Sequence, residues 1–338
     1  MINGSLIGMG RMGITHLSIL NSNQDVNIVA VCDTSKTMLN MINKYLKIKT
    51  YTNYKKMFSE NELDFVIIST PPDSHFSLIT AAIDKNINIF VEKPFTMSST
   101  EGTEILNKMS GKALVNQVGY VNRFNEIFEK LKSILEDKLI GDIKAFKSEM
   151  YGATVLKDSK GSWRSNKLKG GGCLYEFAAH CIDIVVFLFG KPENVYGSNL
   201  GQVYSSDVDD IVSTKFHYKE GFTGSLFVNW CDSSFRKPSN IITVFGTKGK
   251  IIADKYELKV FMKESNGTSG FHEGWNTIYI TDLAKGVRFY LRGNDFTRQL
   301  DYFIKNISNS VYENISDFKQ ANITDQLIEL IRNDSIER

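Results

Sequence analysis

A lysine stands where a buried strand is predicted to end, and this is the first place where side chains could do chemistry. The run Asn88 to Val91 is apolar and β-prone, and Glu92-Lys93-Pro94 follows it directly. Proline stops the strand because it has no backbone N–H to donate to a sheet. A lysine at such an end could stabilise negative charge that develops on a reacting oxygen. Lys93 is therefore a candidate catalytic residue.

A second candidate cluster lies in the apolar segment that follows a triple glycine, residues 170–172. Glu176, His180 and Asp183 recur there at the helical spacing i, i+4 and i+7, opposite an apolar face. No lysine or arginine occurs between positions 170 and 190. This polar line must either face solvent or be directed at a polar site, because an unpaired buried charge is costly. The glycines favour a polar site, since they would let a ligand approach closely.

A glycine-rich loop, Gly8-Met9-Gly10-Arg11-Met12-Gly13, follows the first predicted strand and opens a helix. Its first glycine permits a tight turn, its second lets the backbone approach a pyrophosphate, and its third allows close helix packing. Asp33 ends the second strand, where it can accept hydrogen bonds from ribose hydroxyls and would repel a 2′-phosphate. We therefore expect NAD, with NADP possible because Lys36 is close. The alternative is a glycine-rich turn that binds no cofactor.

Prolines mark the ends of two further predicted strands. Open α/β sheets bind ligands at the carboxyl edge of their strands, so the segment from Thr70 to His75 would form the wall beside the nicotinamide ribose. For His75 a structural role in this loop is favoured over catalysis. The candidate cofactor-binding residues are Gly8, Gly10, Arg11, Met12, Gly13, Asp33, Thr70, Pro71, Pro72, His75, Glu92 and Lys93.

The elements that would position these residues alternate regularly over the first 120 positions. Predicted strands are separated by segments of helical pattern, and they lie at 4–8, 27–32, 47–51, 64–70, 88–92 and 113–119. This alternation is typical of α/β proteins with a doubly wound parallel sheet. We therefore predict an NAD(P)-binding domain over residues 1–120.

The pattern changes beyond Tyr120. An amphipathic stretch at 124–139 is followed by strand-like runs, several of them separated by hairpin turns. These runs lie at 143–151, 195–200, 210–218, 223–229, 241–245, 249–253, 258–261 and 277–280. The pattern predicts an α+β domain over residues 121–338 with an open, mostly antiparallel sheet. Two domains also suit a chain of 338 residues.

Composition limits the partners that this chain could have. Forty basic and 38 acidic residues give a net charge of +2 without a basic stripe, so we expect no nucleic acid partner. We find neither a secretion signal nor an apolar run near the roughly 18 residues of a membrane span, and therefore expect no membrane partner. Cys32, Cys173, Cys181 and Cys231 lack metal-ligand or redox spacing. Free thiols, no metal and a cytoplasmic location are the expectation.

Taken together, these motifs resemble the glucose-fructose oxidoreductase / inositol dehydrogenase / rhizopine catabolism (Gfo/Idh/MocA) oxidoreductases. The resemblance spans nearly the whole chain, and its more specific parts are Glu92-Lys93-Pro94 and the triple glycine followed by His180. Its other parts are the glycine loop with Asp33, Thr70-Pro71-Pro72 with His75, Gly119-Tyr120, Asn122-Arg123-Phe124-Asn125, Trp163-Arg164, Asp183, Asp209-Asp210 and Val244-Phe245-Gly246-Thr247-Lys248-Gly249. The resemblance implies a Rossmann domain, a C-terminal domain on an open antiparallel sheet, and homodimers or homotetramers formed through that sheet.

The resemblance also implies NAD(P)-dependent hydride transfer at a secondary alcohol or ketone of a sugar, cyclitol or sugar nucleotide. Such a reaction needs a base for the hydroxyl proton and a cation for the developing alkoxide, which are roles that suit His180 and Lys93. Glu176 stands where relatives usually have aspartate, which shifts its carboxylate by about an ångström. The catalytic candidates are Lys93, His180 and Glu176. The substrate-binding candidates are Tyr120, Asn122, Arg123, Trp163, Arg164, His180 and Asp183.

Three residues near the final predicted helices could reach the same cleft from the second domain, namely Tyr290, Arg292 and Asp295. Ordinary packing or surface charge is the alternative. Two arginines near a cleft suggest an anionic ligand such as a phosphorylated sugar, a uronate or a nucleotide sugar. Two other functions stay open. One is a glycosidase that retains NAD and acts by transient oxidation, and the other is a non-catalytic regulatory protein that binds the cofactor.

Overall fold

The chain divides into two compact units in the computed structural model, which describes residues 1–157, 163–265 and 270–336. The first unit contains Met1–Val121 and Gly286–Asn322, and the second contains Asn122–Lys285 and Ile323–Arg338. The first break in the chain thus lies one residue from the predicted boundary at 120/121. The segment Gly286–Asn322 differs from the prediction, which placed it in the second domain.

Parallel strands form the sheet of the first unit. They are β1 (Ile2–Ile7), β2 (Val26–Cys32), β3 (Lys49–Tyr51), β4 (Phe65–Ile68), β5 (Asn88–Val91) and β6 (Asn116–Val118). The helices between them are α1 (Arg11–Asn21), α2 (Lys36–Leu46), α3 (Tyr54–Glu60), α4 (His75–Asp84) and α5 (Ser99–Met109). The strand order β3-β2-β1-β4-β5-β6 is that of a doubly wound sheet, whose progression reverses between β1 and β4. The predicted fold of this half is confirmed.

Apolar layers cover both faces of this sheet, which explains why its central strands are apolar throughout. All four residues of β4 are buried. Successive residues of a strand face opposite sides, so Val66 and Ile68 pack in one buried cluster while Phe65 and Ile67 pack in another. The helices that flank the sheet therefore fix the positions of the strand ends, where the predicted site residues lie.

The second unit is built on an eight-stranded sheet. Its strands are β7 (Ile143–Tyr151), β8 (Asn194–Gly201), β9 (Ile211–His217), β10 (Thr223–Asn229), β11 (Ser239–Gly246), β12 (Gly249–Ala253), β13 (Glu257–Met262) and β14 (Gly274–Tyr279). Their order is β14-β13-β12-β11-β7-β10-β9-β8, in which β7 and β10 pair in parallel and the other neighbours are antiparallel. Its helices before Lys285 are α6 (Glu126–Glu136), α7 (Ala179–Phe189) and the short α8 (Ile280–Leu283). The predicted mostly antiparallel sheet is confirmed.

The stretch around α7 is the most apolar helical stretch of the described chain. By length and composition Lys167–Phe189 could cross a membrane, which the sequence analysis did not anticipate. However, 78% of its apolar window is buried inside the fold. Residues of α7 such as Ile182, Ile184 and Val185 lie in the main buried cluster of the second unit, together with Leu226 of β10. This is the usual environment of a core helix.

After Lys285 the chain returns to the first unit. Helix α9 (Asn294–Ser308) is amphipathic, and its apolar residues Leu300, Phe303 and Ile304 join the buried cluster that contains Leu6 and Leu17. An apolar helix face must be buried against another element, and here the partner is the Rossmann sheet with α1. This packing is the physical reason why the segment belongs to the first unit.

Residues that follow α9 close the outer edge of β6. The backbone N–H of Val118 donates to the carbonyl of Ser316 at 2.8 Å, and the side-chain amide of Asn314 donates to the carbonyl of Asn116 at 2.5 Å. The backbone N–H of Phe318, the first residue of α10 (Phe318–Ile336), donates to Asn116 Oδ1 at 2.7 Å. These bonds satisfy polar groups that an edge strand would otherwise present to solvent.

Candidate functional site

The carboxyl ends of the parallel strands bring the predicted cofactor-binding residues to one edge of the first unit's sheet. The loop Gly8–Gly13 follows β1, Asp33 follows β2, and residues 70–72 follow β4. Glu92 and Lys93 follow β5. Because the strand order reverses between β1 and β4, this edge is the one at which open α/β sheets bind ligands.

The three glycines of the first loop have different reasons to be glycine. Gly8 has a φ of +88°, which residues with a side chain rarely adopt. A Cβ at Gly13 would overlap the carbonyl oxygen of Gly8, so Gly13 lets α1 pack closely on the loop. A Cβ at Gly10, directly before α1, would have no described atom within 4 Å. The loop thus packs closely against other atoms at Gly8 and Gly13, whereas Gly10 has open space beside it. The N-terminus of α1 begins at this open position and favours an anion.

Asp33 is fixed beside this loop. Its Oδ2 accepts from the backbone N–H of Met9 at 2.5 Å, and its Oδ1 accepts from the backbone N–H of Ser35 at 2.7 Å. The carboxylate is therefore held at the end of β2, the position that binds ribose hydroxyls in dinucleotide-binding folds. The open glycine and the fixed carboxylate fit a bound NAD.

His75 connects two strand-end loops from inside the protein. Its ring nitrogens lie 3.0 Å from the carbonyl oxygen of Thr70 and 2.9 Å from that of Pro94, which follows a cis Lys93–Pro94 peptide. Burial lowers the pKa of His75, although the backbone carbonyls raise it. The side chain is fully buried and joins the loops after β4 and β5, which is the structural role that the sequence favoured. Its assignment as a cofactor-binding residue stays a prediction.

Glu92 is held by a histidine that the sequence analysis missed. His16 Nε2 lies 2.7 Å from Glu92 Oε1, and the backbone N–H of Lys93 donates to Glu92 Oε2 at 3.3 Å. The glycine at position 119 makes room, because a Cβ there would lie 3.1 Å from Glu92 Oε2. The sequence feature that could have predicted this pair is the position of His16, one helical turn after the glycine loop on a helix that must pack against this sheet. The pair fixes the carboxylate that adjoins Lys93.

In the second unit, a π-helical turn, Leu174–Ala178, runs directly into α7. Glu176 and His180 are partly exposed, whereas the other residues between 171 and 187 are buried. Such wide turns are rare and often occur at functional sites. The structure therefore presents these two predicted catalytic residues together, on the exposed strip of an otherwise buried helix.

Asp183, the third member of the predicted line, has a different environment. Its carboxylate accepts three bonds from the guanidinium of Arg123, at N–O distances of 3.0, 3.0 and 2.7 Å. The two side chains are only 1% and 2% exposed. Burial raises the pKa of Asp183, and the charge of Arg123 opposes that rise. Arg123 and Asp183 thus bind each other in the core, and their contact with substrate stays a prediction.

The triple glycine packs on the chain itself. Gly170 and Gly172 have φ values of +76° and +110°. A Cβ at Gly171 would overlap the carbonyl of Arg164, and one at Gly172 would lie 2.6 Å from Asp209 Oδ1. Gly171 and Gly172 therefore accommodate neighbouring residues of the protein, and the approach of a ligand to the triple glycine stays a prediction.

Glu176 pairs with Arg164 in this folded loop. Arg164 Nε and Nη2 donate to Glu176 Oε1 at 3.3 and 3.2 Å, and the side chains are 35% and 18% exposed. The carbonyl of Arg164 accepts from the backbone N–H of Gly172 at 3.0 Å, which fixes the arginine beside the π turn. The predicted ligand contact of Trp163 is untested, because its side chain lies outside the described residues.

The remaining substrate-binding candidates are distributed differently from the prediction. Tyr120 and Asn122 are buried. Tyr290, Arg292 and Asp295 belong to the first unit, not to the second. Burial lowers the pKa of Arg292, and the charge of Arg11 lowers it further, whereas the charge of Glu92 raises it. Arg292 therefore lies near the sheet edge that carries the glycine loop and Glu92.

Within the described residues, no group of three or more His, Cys, Asp or Glu side chains could hold a metal ion.

Comparison with known proteins gives two family matches. A family described as "Oxidoreductase family, NAD-binding Rossmann fold" matches residues 2–120. A second, described as "GFO/IDH/MocA C-terminal domain", matches residues 128–252. Both describe halves of the same family of proteins, in the same order along the chain.

Individual relatives are distant. An uncharacterised oxidoreductase of Schizosaccharomyces pombe is 27% identical over 173 residues, which is 51% of this chain and 46% of that relative, so the chain spans about half its length. The 2,7-anhydro-N-acetylneuraminate hydratase of Mediterraneibacter gnavus is 27% identical over 74% of this chain and 66% of its own. A structure of a levoglucosan dehydrogenase in complex with NADH has a TM-score of 0.87 at 19% identity, covering 99% of this chain and 97% of its own, which shows a shared fold.

Proposed function

Because this chain belongs to the Gfo/Idh/MocA family of oxidoreductases, with its NAD-binding Rossmann fold, we propose that it transfers hydride at a carbohydrate-like secondary alcohol or ketone. The observation that carries the proposal is the placement of Lys93 on the sheet edge that also holds the open Gly10 and the fixed Asp33. A cation there can stabilise an alkoxide that forms beside the cofactor.

Each polar side chain of the proposed reaction has a role that its environment supports. Bound NAD would supply the hydride acceptor. His180 would take the hydroxyl proton, since it is partly exposed on an otherwise buried helix. Glu176, fixed by Arg164, would accept a hydrogen bond from a substrate hydroxyl and orient it. Lys93 would stabilise the alkoxide.

The proposed substrate class is a neutral sugar or cyclitol. An anionic ligand was one expectation, because two arginines were predicted near a cleft. In the structure Arg164 is paired with Glu176, and Arg123 is paired with Asp183. Neither guanidinium therefore carries an uncompensated charge toward a ligand. Solved structures with a similar fold contain levoglucosan or L-sorbose, both neutral, which supports this choice.

We further propose a homodimer or homotetramer formed through the sheet of the second unit. Along β10, Leu226 and Val228 are buried on one face, whereas Phe227 is exposed on the other. Trp275 and Tyr279 of β14 are also exposed. Burial of such aromatic side chains favours association. Light scattering after size exclusion tests this, and a monomer at all concentrations would contradict it. A cytoplasmic location remains part of the proposal.

The decisive experiment is an absorbance assay at the nicotinamide band with NAD⁺ or NADP⁺ and a panel of sugars, cyclitols and sugar nucleotides. We expect turnover with NAD⁺, and a decrease in kcat of about 10²- to 10³-fold in Lys93→Ala. Lys85→Ala, at an exposed lysine, is the matched control and should retain activity. If no compound changes absorbance, and Lys93→Ala alters nothing in any assay, the proposal is wrong.

A second candidate function is a reaction without net oxidation in which NAD stays bound. It is favoured by one observation, that a relative is named as a hydratase and not as a dehydrogenase. It predicts product formation from anhydrosugars or glycosides with no net absorbance change. Tight NADH binding without turnover of any kind would instead favour a regulatory protein.

A further inference from the structure

Asp209 is a half-buried carboxylate that the proposed reaction does not use. Its Oδ2 accepts from the backbone N–H of Leu174 at 2.6 Å, and its backbone carbonyl accepts from the N–H of Cys173 at 2.8 Å. These two N–H groups stand at the start of the helix that carries the π turn, where no earlier helical carbonyl can bind them. One residue from the loop before β9 thus satisfies two successive groups of this helix end.

The glycine at position 172 adapts the backbone to this carboxylate. Its φ of +110° is open to glycine and strained for other residues, and a Cβ would lie 2.6 Å from Asp209 Oδ1. The carbonyl of Gly172 in turn accepts from the backbone N–H of Glu176 at 3.0 Å. A short chain of contacts therefore joins Asp209 to the backbone of a proposed catalytic residue.

This arrangement carries an electrostatic cost. Burial raises the pKa of Asp209 to about 6, and the charge of Asp210 adds to the rise, whereas the N–H of Leu174 and the charge of Lys167 lower it. The thiol of Cys173 also faces this charge. Serine or asparagine could cap a helix with less desolvation. The chain instead keeps a costly carboxylate at the one helix that presents Glu176 and His180.

We propose that Asp209 is a positioning residue, which fixes the π turn through Cys173 and Leu174 and thereby places Glu176 and His180. Misplacement of a reacting group by about an ångström lowers turnover by about 100-fold. The catalytic part of this inference rests on the proposed function, but the structural part does not.

The first test uses Asp209→Ala and Asp209→Asn. We expect Asp209→Ala to lower kcat by about 10- to 100-fold and to leave the Kd for NADH, measured by fluorescence, within about twofold of wild type. Asp209→Asn should recover most of the loss, because its amide oxygen can still accept from Leu174. Ser98→Ala, which removes the cap of α5 at Glu101, is the matched control. It should lower Tm to a similar extent without changing kcat.

The second test needs no substrate. Hydrogen exchange of residues 173–180 should become at least about tenfold faster in Asp209→Ala, and much less so in Asp209→Asn, while α5 is unchanged. If Asp209→Ala does not fold, Asp209→Ser takes its place, because a serine oxygen at this position stands one bond closer to the backbone and cannot reach the N–H of Leu174 as the carboxylate does. Faster exchange at 173–180 with lower kcat in that variant supports the inference, and wild-type values of both overturn it.

Two further results would overturn the inference. One is a folded Asp209→Ala protein with wild-type kcat and wild-type exchange at 173–180. The other is a parallel loss of kcat, NADH binding and Tm, which would show a general effect on stability. If no substrate is found, the hydrogen-exchange experiment still tests whether Asp209 fixes the π turn. Active wild-type protein with an insensitive Asp209 would leave the proposed function standing.

Discussion

The buried pair of Arg123 and Asp183 predicts a large loss of stability when one partner is removed. The carboxylate accepts bonds at 2.7 and 3.0 Å, and the two side chains are 2% and 1% exposed. Arg123→Met keeps the apolar stem and removes the guanidinium. The substitution therefore leaves a buried carboxylate without a counter-charge, in a place that water cannot reach.

The magnitude follows from burial. An exposed ion pair contributes about 0.2–1 kcal/mol, whereas breaking a buried pair from one side costs about 3–5 kcal/mol. Because both side chains are almost fully buried, we expect a loss of about 4 kcal/mol in the free energy of unfolding of the second unit. Burial already raises the pKa of Asp183, so its carboxyl can bind a proton in the variant, which prevents a larger loss. The double variant Arg123→Met, Asp183→Leu should recover most of the loss.

Urea unfolding, followed by the fluorescence of the buried Trp230, reports on this unit. Lys259→Met is the matched control, since Lys259 lies in the same unit and pairs with Glu257 at side-chain exposures of 41% and 33%. It should change the urea midpoint only slightly, because an exposed ion pair contributes little. The reasoning is refuted if Arg123→Met loses no more than this control. An increase in substrate KM at unchanged stability would instead restore the substrate-binding role expected from the sequence.

Two glycines and one histidine give further predictions. Gly10→Ala should fold with wild-type stability but raise the Kd for NADH about tenfold or more, since its Cβ enters the open side of the loop; unchanged binding by fluorescence titration would contradict this. Gly13→Ala should lower the free energy of unfolding by about 1–3 kcal/mol, because its Cβ overlaps the Gly8 carbonyl, and a wild-type urea midpoint would speak against that overlap. The lowered pKa of His75 means that the unfolded chain binds its proton more tightly, so stability falls as pH drops below the ordinary value of 6.5. His75→Gln should therefore show a smaller difference between urea midpoints at pH 8 and pH 5 than wild type, and an equal difference would count against the buried neutral imidazole.

Local periodicity was enough to predict both sheets. The strand period of two and the helix period of 3.6 are properties of short segments, so runs such as 143–151 and 223–229 were placed without knowledge of the fold. The assignment of Gly286–Asn322 to the first unit could not be predicted from local periodicity. It depends on which distant apolar surface α9 covers, and its own pattern shows only that it has an apolar face.

In the candidate site, too, some features could be predicted from the sequence and others could not. Lys93 and Asp33 could be placed because the carboxyl ends of parallel strands meet at one edge. Asp183 shares helical spacing with His180, but it lies three residues further on, about 60° around the axis. That angle directs it to Arg123, which is 60 residues away in sequence. Neither the π turn before His180 nor this partner is encoded in local spacing.

The return of the chain to its first unit has a consequence for synthesis on the ribosome. The edge strand β6 obtains outer hydrogen bonds from Asn314 and Ser316, which follow Asn116 and Val118 by 198 residues. At roughly 5–20 residues per second, these groups are made roughly 10–40 s after the strand that they cover. During that interval the nascent Rossmann unit exposes an edge strand and the apolar surface that α9 later buries, both of which favour aggregation. Residues 1–121 are therefore made well before the segment that completes their unit, and chaperones have that interval in which to bind them.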